Sequence, residues 1–237
     1  MKYLAYVGLL ITIWSTHVLD SVHGLSLRSI ARTVARPFRG SKVSSSFQDL
    51  LLTRRTINDF ESELPSNWES AIEKAVEAAI YAPNHKRTEP WRFHLLGPEA
   101  IENVCRLNAD IVTKNKGEAA GAKKLDRWLA MPGWLVVTCV QSEGSDANAM
   151  QDPMGLARED YAACCCAVQN LSLSLHSSGL GTKWTTGPVN FDEGFRGAAN
   201  IPSNEYVVGT IWFGKAAKQP KSPPKRLGVN DVLVRHG

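Results

Sequence analysis

No Cys-x-x-Cys pair and no zinc-like ligand spacing occurs in this chain of 237 residues, so a structural metal site has no sequence signature here. The cysteines are odd in number, five, and Cys164, Cys165 and Cys166 are adjacent, so they cannot all pair with one another in normal disulfide geometry. That argues against a secreted disulfide framework and favours a compartment that keeps thiols reduced. Consecutive helical residues point about 100° apart, so the three thiols do not form one reactive site, and small apolar packing accounts for them. A convincing Ser/His/Asp triad is also missing. Gly179-x-Gly181 lacks the rest of a dinucleotide fingerprint, and internal repeats are absent. The one N-terminal apolar run, residues 4–14, falls short of the roughly 20 residues a transmembrane helix needs, so no stable membrane insertion is expected.

Acidic residues are missing from one stretch in particular. Residues 25–48 carry Arg28, Arg32, Arg36, Arg39 and Lys42 and no acid, while the whole chain has a net charge of only +4. The rest is close to neutral, so the basic excess is not a folded nucleic-acid-binding face, and no nucleic-acid partner is expected. Lys2 followed by the short apolar run reads as a signal peptide over residues 1–24, with Val22-His23-Gly24 suited to cleavage before Leu25. The Arg- and Ser-rich segment 25–46 has the composition of an organelle transit peptide. Together they resemble a two-part plastid presequence. A simple secretory signal with a basic spacer, or a mitochondrial address, stays open.

What remains has the composition of an ordinary globular domain, 43% hydrophobic and 21% charged over the full chain. Residues 47–56 predict a short helix. Residues 66–81 predict an amphipathic one, with Ser66 and Glu69 as a capping box and Ala71, Ile72, Ala75, Val76, Ala79 and Ile80 on one face. Pro83 stops it. Strands are predicted over 91–96, 134–141, 183–185 and 206–213, the second and fourth buried on both faces. Helices are predicted over 99–114, 118–131 and 156–178, the last small, apolar and therefore central and buried. Residues 141–155 read as a polar loop. From residue 215 the chain is rich in Lys and Pro and reads as an extended arm to residue 237. Helices outnumber and separate strands, which implies an α+β or α/β arrangement, a mixed sheet wrapped by helices.

Two segments carry chemistry. Arg54-Arg55-Thr56 suits a phosphate, because guanidinium donors match phosphate oxygens in pairs. A solvated pair attracted to the last carbonyls of a helix is the plainer alternative. Two dozen residues later, Ala82-Pro83-Asn84-His85-Lys86-Arg87-Thr88-Glu89-Pro90-Trp91 forms a Pro-bounded basic loop leading into an aromatic strand. Together they point to a phosphorylated aromatic cofactor.

At these residues the chain resembles the FMN-dependent nitroreductase superfamily. Arg-Arg-Thr-x-x-x-Phe, the Ala-Pro-x-His-Lys loop with Pro-Trp-x-Phe, and Gly179-Leu180-Gly181-Thr182-Lys183-Trp184-Thr185-Thr186-Gly187 match its patterns over residues 47–214, most closely in a short bacterial subgroup. The resemblance implies an α+β nitroreductase-like fold and an obligate homodimer with two FMN sites at its interface. It implies Arg54, Arg55 and Thr56 at the phosphate and ribityl end, and Trp184, Thr185 and Thr186 along the flavin. His85 would reach the FMN of the other subunit, and Tyr81 stands where the subgroup has a basic residue. Ser174, Leu175, His176, Ser177, Ser178 and Gly179 align with NAD(P) contacts, or equally form a core helix and its terminal glycine. Hydride would come from NAD(P)H and electrons pass to a nitroaromatic, quinone or similar electron-poor acceptor in ping-pong order, with no dedicated side-chain acid or base; a flavin-binding regulator or carrier with little turnover, or another reaction on the same fold such as dehalogenation, stays open. Asn58 and Glu89 depart from the pattern; Glu89 is expected to pair with Lys86, Arg87 or Arg92. Lys225 and Arg226 either reach the phosphate or lie in a solvated tail.

Overall fold

The computed structural model describes residues 45–140, 156–220 and 224–236. The expected presequence and the polar loop 141–155 lie outside these residues. The elements in chain order are α1 (Ser45–Thr53), α2 (Trp68–Ala79), β1 (Trp91–Leu95), α3 (Pro98–Lys116), α4 (Glu118–Leu129), β2 (Gly133–Val140), α5 (Leu156–Ser177), β3 (Gly181–Thr185), α6 (Phe195–Ala198), β4 (Glu205–Gly214) and α7 (Val229–Val232). Short 3₁₀ turns cover His85–Arg87 and Pro188–Phe191.

Four strands form one sheet in the order β1-β2-β4-β3, every neighbouring pair antiparallel. Among the described residues the one parallel pairing is an isolated bridge between Thr56 and Thr182 on the open side of β3, so the four-stranded sheet is antiparallel rather than mixed as the sequence suggested. The α+β fold expected from the sequence is therefore present, with helices on both faces of the sheet. As predicted, β2 and β4 are buried almost throughout. One register shift matters. Val137 pairs with Gly209 and Thr138 with Val207, so Val208 is an extra residue on β4. This bulge resets which side chains face which way along that strand.

The two faces of the sheet bury different kinds of residue. On the inner face Leu135, Val137, Ile211 and Phe213 meet Ala71, Ala75 and Ala79 of α2 and Ala163, Cys164, Ala167 and Leu171 of α5. On the outer face Trp134, Val136 and Trp212 meet Val104, Trp128 and Phe195 from α3, α4 and α6. Trp128, Trp134 and Trp212 pack edge to face, with ring centroids 5.1–5.5 Å apart. The α3–α4 reversal uses Gly117 at φ 86°, and Gly121 lets the helices touch, since a Cβ there would fall 1.8 Å from Thr113 Oγ1.

Two sequence expectations need correction. The N-cap of α2 is Asn67, without a side-chain capping bond, so the Ser66–Glu69 box does not form. And α5 is not buried all round. Ala163, Cys164, Ala167, Val168, Leu171 and Leu175 are buried, but Ala162, Cys166 and Gln169 are exposed on the opposite face. The start of the C-terminal arm is stitched to residues 59–61: Glu61 N donates to Lys215 O, Ala217 N donates to Asp59 O, and Lys215 Nζ lies 2.9 Å from Glu61. Further on, Leu227, Val229 and Val234 are exposed. Among the described residues, no helix is long and apolar enough to cross a membrane.

Candidate functional site

The Arg pair follows directly from the end of α1. Ile57 N then donates to Thr182 O at 3.0 Å, which ties this segment alongside β3. The approach is close because β3 begins with glycine: a Cβ on Gly181 would stand 2.4 Å from Ile57 Cγ1. The chain enters β3 from α5 through Gly179 at φ 79°, with Leu180 N donating to Leu175 O, a terminating turn that glycine favours. These local rules bring Arg54, Arg55, His176, Gly179, Thr182 and Gln219 around one small cleft of about 110 Å³.

The two arginines divide their roles. Arg55 Nη1 donates to Leu52 O and Arg54 O, at 2.6 and 2.9 Å, so it caps α1, the plainer of the two roles expected for the pair. Arg54 forms no ion pair among the described residues. Burial lowers its pKa, and Arg55 and then Arg226 of the C-terminal arm lower it further. The positive potential here comes from side chains, because α1 and α5 bring C-terminal ends to this region, which disfavour anions. His176 Nε2 lies 3.1 Å from Thr53 Oγ1. Thr53 already donates to Asp49 O, so the imidazole is the donor in that contact. Burial first, then Arg54 and Arg55, hold the His176 pKa below its ordinary value.

Along β3 the side chains alternate. Trp184 pairs with Ile211 and so lies on the inner face, 39% exposed. Gly209 makes room for its indole: a Cβ there would lie 2.3 Å from Trp184 Nε1. Thr185 pairs with Thr210 and faces the other way, its buried hydroxyl without a partner. Thr186 is exposed. Beyond the bridge at Thr182, the open side of β3 has no backbone partner among the described residues, so its edge donors and acceptors are free.

The His85 loop lies at the opposite end of α5. Lys86, Arg87 and Glu89 have φ of 54°, 55° and 45°, a left-handed conformation that costs such residues energy and recurs at functional sites. Two bonds hold it: Thr88 Oγ1 donates to the buried Asp160 at 2.5 Å, and Glu89 N donates to Asn84 Oδ1 at 3.2 Å. His85 is half exposed and 4.0 Å from Glu159, and Tyr81 is 81% exposed. Glu89 makes no ion pair; Arg92 bonds backbone carbonyls instead, so the expected neutralising partner is absent among the described residues. Glu159 and His176 are 17 positions apart on α5. At about 1.5 Å per residue the two ends are roughly 25 Å apart.

The structure thus unites Arg54, Arg55, His176 and Gly179, and places Thr56 beside them at the Thr182 bridge. Of the stretch aligned with NAD(P) contacts, Leu175 is core and Ser177 and Ser178 bond to Ser174 O. Asp160 and Gln219 escaped the sequence reading. The only hint of Asp160 was an acid on the buried side of an apolar helix. Two other constellations carry no chemistry. His94 and Thr138 both meet one oxygen of Glu205, His94 at 2.6 Å, so the Thr138 proton goes to the carboxylate rather than to a base. The five cysteines are free. Burial pushes Cys105 up to about 12; contact with Cys139 and then burial raise Cys164, and burial raises Cys165, so these three are thiols, not thiolates. Among the described residues, no group of His, Cys, Asp and Glu is placed to hold a metal ion.

Comparison with known proteins shows what the chain and its fold are similar to. YfhC of Bacillus subtilis (strain 168), which carries the provisional name NAD(P)H nitroreductase, is 30% identical over 193 residues, 79% of this chain and 92% of YfhC. Among solved structures, a nitroreductase-like family protein from Bacillus cereus superposes with a TM-score of 0.64 at 24% identity, covering 83% of this chain and all of that one. A nitroreductase with bound FMN from Desulfitobacterium hafniense DCB-2 gives 0.59 at 17% identity, over 80% of this chain and 97% of its own. A profile of the nitroreductase family matches residues 51–215, well over half of the sequence, and the chain belongs to that family.

Proposed function

We propose that this protein is an FMN-dependent oxidoreductase that works as a homodimer, takes hydride from NAD(P)H and reduces an electron-poor acceptor such as a nitroaromatic or a quinone. The observation that carries this reading is Arg54, a partly buried guanidinium with no carboxylate partner, crowded by Arg55 and Arg226. Cations left unneutralised in a cleft call for an anion, and a phosphate monoester fits the fork of Arg54. The donor set therefore suits the phosphate of FMN. Arg54 and Arg226 would hold it. Thr56 and the close backbone approach at Gly181 would flank the ribityl chain, and Trp184 with the free edge of β3 would flank the ring. Since Thr185 turns its side chain to the outer face, its contribution would come from the backbone. When bound, FMN supplies the hydride and electron transfer, in ping-pong order, and the protein supplies binding and orientation. YfhC, by its name, and the FMN-bound protein of D. hafniense support the cofactor and the reductant.

Two copies are part of the proposal. His85 stands roughly 25 Å from His176 along α5, so one chain cannot bring it to the ligand of Arg54. Exposed Phe47, Leu52 and Tyr81, with the small exposed face of α5, offer the apolar surface on which a second copy would seat and bring His85 to the neighbouring cleft. His176 and its neighbours border the phosphate cleft, so they act on the cofactor end before any nicotinamide.

The purified chain is expected to show flavin absorption bands that bleach under anaerobic NAD(P)H and return when acceptor is added. Arg54→Ala is expected to weaken FMN binding roughly ten- to a hundredfold, the value of one charge-assisted hydrogen bond, with turnover per bound FMN close to that of the parent. Absence of bands after FMN is added would sink the assignment. Collapse of turnover at full FMN occupancy in the Arg54 variant would show that the residue has been given the wrong role.

A further inference from the structure

A second groove lies away from the Arg54 cleft. It lies between α3, α4 and the turn after β3, has a volume of about 460 Å³, and shares no lining residue with the cleft. That volume is within the range of small-molecule sites, about 300–1,000 Å³. Its apolar part includes Ile111, Val112, Trp128 and Pro188. Its basic part is Lys116, Lys123, Lys124 and Arg127, none of which has a carboxylate within 4.0 Å among the described residues. Lys124 Nζ stands 5.8 Å from the Trp128 ring centre, so positive charge is held over the apolar wall. On the neighbouring strand, Lys183 sits 5.2 Å over Trp212, and its pKa is lowered by burial and then by Arg127 and Lys124, against the opposing charge of Asp59.

The decisive residue is Asn108. It lines the groove, is only 5% exposed, and its side-chain nitrogen has no hydrogen-bond partner. Leaving a buried donor unpaired costs about 1–3 kcal/mol, and native structures leave few such groups. A ligand oxygen in the groove would satisfy it. The groove therefore combines an apolar wall, unneutralised cations and a buried amide donor.

We propose that this groove binds an amphiphilic carboxylate, with the aliphatic or aromatic body against Ile111, Val112 and Trp128 and the carboxylate between Asn108 and the Lys124 and Arg127 cations. The site lies on the outer face of the sheet and does not depend on the reading of the Arg54 cleft.

The test is calorimetric titration of the full chain, as purified, with monomeric dodecanoate and with the uncharged dodecanol. Saturable binding of one dodecanoate per chain is expected, at least tenfold tighter than dodecanol. The Lys124→Gln/Arg127→Gln double variant should weaken dodecanoate binding at least tenfold, and Asn108→Leu should do the same. Arg54→Ala should leave it unchanged. If Asn108→Leu does not fold by circular dichroism, the double variant, which changes only residues at the groove rim, decides alone. Absence of saturable binding, equal binding of the alcohol, or no loss in the groove variants overturns the proposal. So does loss of binding in Arg54→Ala, because the acid would then be occupying the cofactor cleft.

Discussion

The two faces of the sheet solve the packing problem in opposite ways. The inner face is thin: alanines and a cysteine let α5 lie close to the sheet, and the alanines of α2 pack against α5 in the same core. The outer face is thick, closed by three tryptophans and Phe195 under α3, α4 and α6. The contrast shows how this fold leaves one face of a central helix open without unfolding it. Small residues on one side of α5 secure it to the sheet, and small residues on its other side remain open. The loop of His85 and the cleft of Arg54 sit at the two ends of that helix. The outer face carries stability, and the basic groove opens between two of its helices.

Three experiments would sharpen this contrast, beginning with the largest effect. Truncating the outer core by Trp134→Ala removes a ring that is 1% exposed and touches two other tryptophans, and should cost about 3–5 kcal/mol in chemical denaturation. A loss below about 1 kcal/mol would mean that the aromatic layer is not the anchor described here. On the inner face the same logic runs in reverse. Ala167, fully buried, has no room for a longer side chain, so Ala167→Leu should destabilise by about 1–3 kcal/mol through overpacking and should displace α5. Gel filtration and FMN titration of that variant should then show weaker self-association and weaker cofactor binding; a variant that is less stable yet unchanged in both would disconnect α5 packing from the site.

The smallest effect concerns His176. Its folded pKa is depressed, so the neutral ring favours folding above the ordinary imidazole value of about 6.5, and that stability is lost as pH falls through and below it. Melting temperatures of the cofactor-free protein between pH 8 and pH 5 should fall less for His176→Gln than for the parent. Identical slopes would mean that neither burial nor the charges of Arg54 and Arg55 hold the His176 ring neutral.

Much of the fold was legible because its signals are local. The continuous apolar runs of β2 and β4, the periodicity of α2 and the glycines flanking α4 and ending α5 required no tertiary knowledge. The Ser66 box failed because competing local geometry placed Asn67 at the helix start, a choice made within one residue. The buried-all-round reading of α5 failed because composition does not say which faces of a small apolar helix are covered. The Arg pair was legible as a pair but not as two roles. Nothing in adjacent arginines tells which one turns back to Leu52 O and which is left without a counter-ion.

By itself, then, the sequence determined the elements, the family patterns and the chemistry on offer: guanidinium groups, a strained basic loop, an exposed indole. These depend on backbone propensity, periodicity and residue type, which act over a few positions. Only the tertiary structure decided what shares a site. It joined His176 and Arg226 to Arg54, turned Thr185 away from Trp184, set His85 at the far end of α5, and left Asn108 unpaired in a basic groove. Those outcomes depend on strand register, the bulge at Val208 and the distance between helix ends, and each of these is fixed by contacts between segments far apart in the chain.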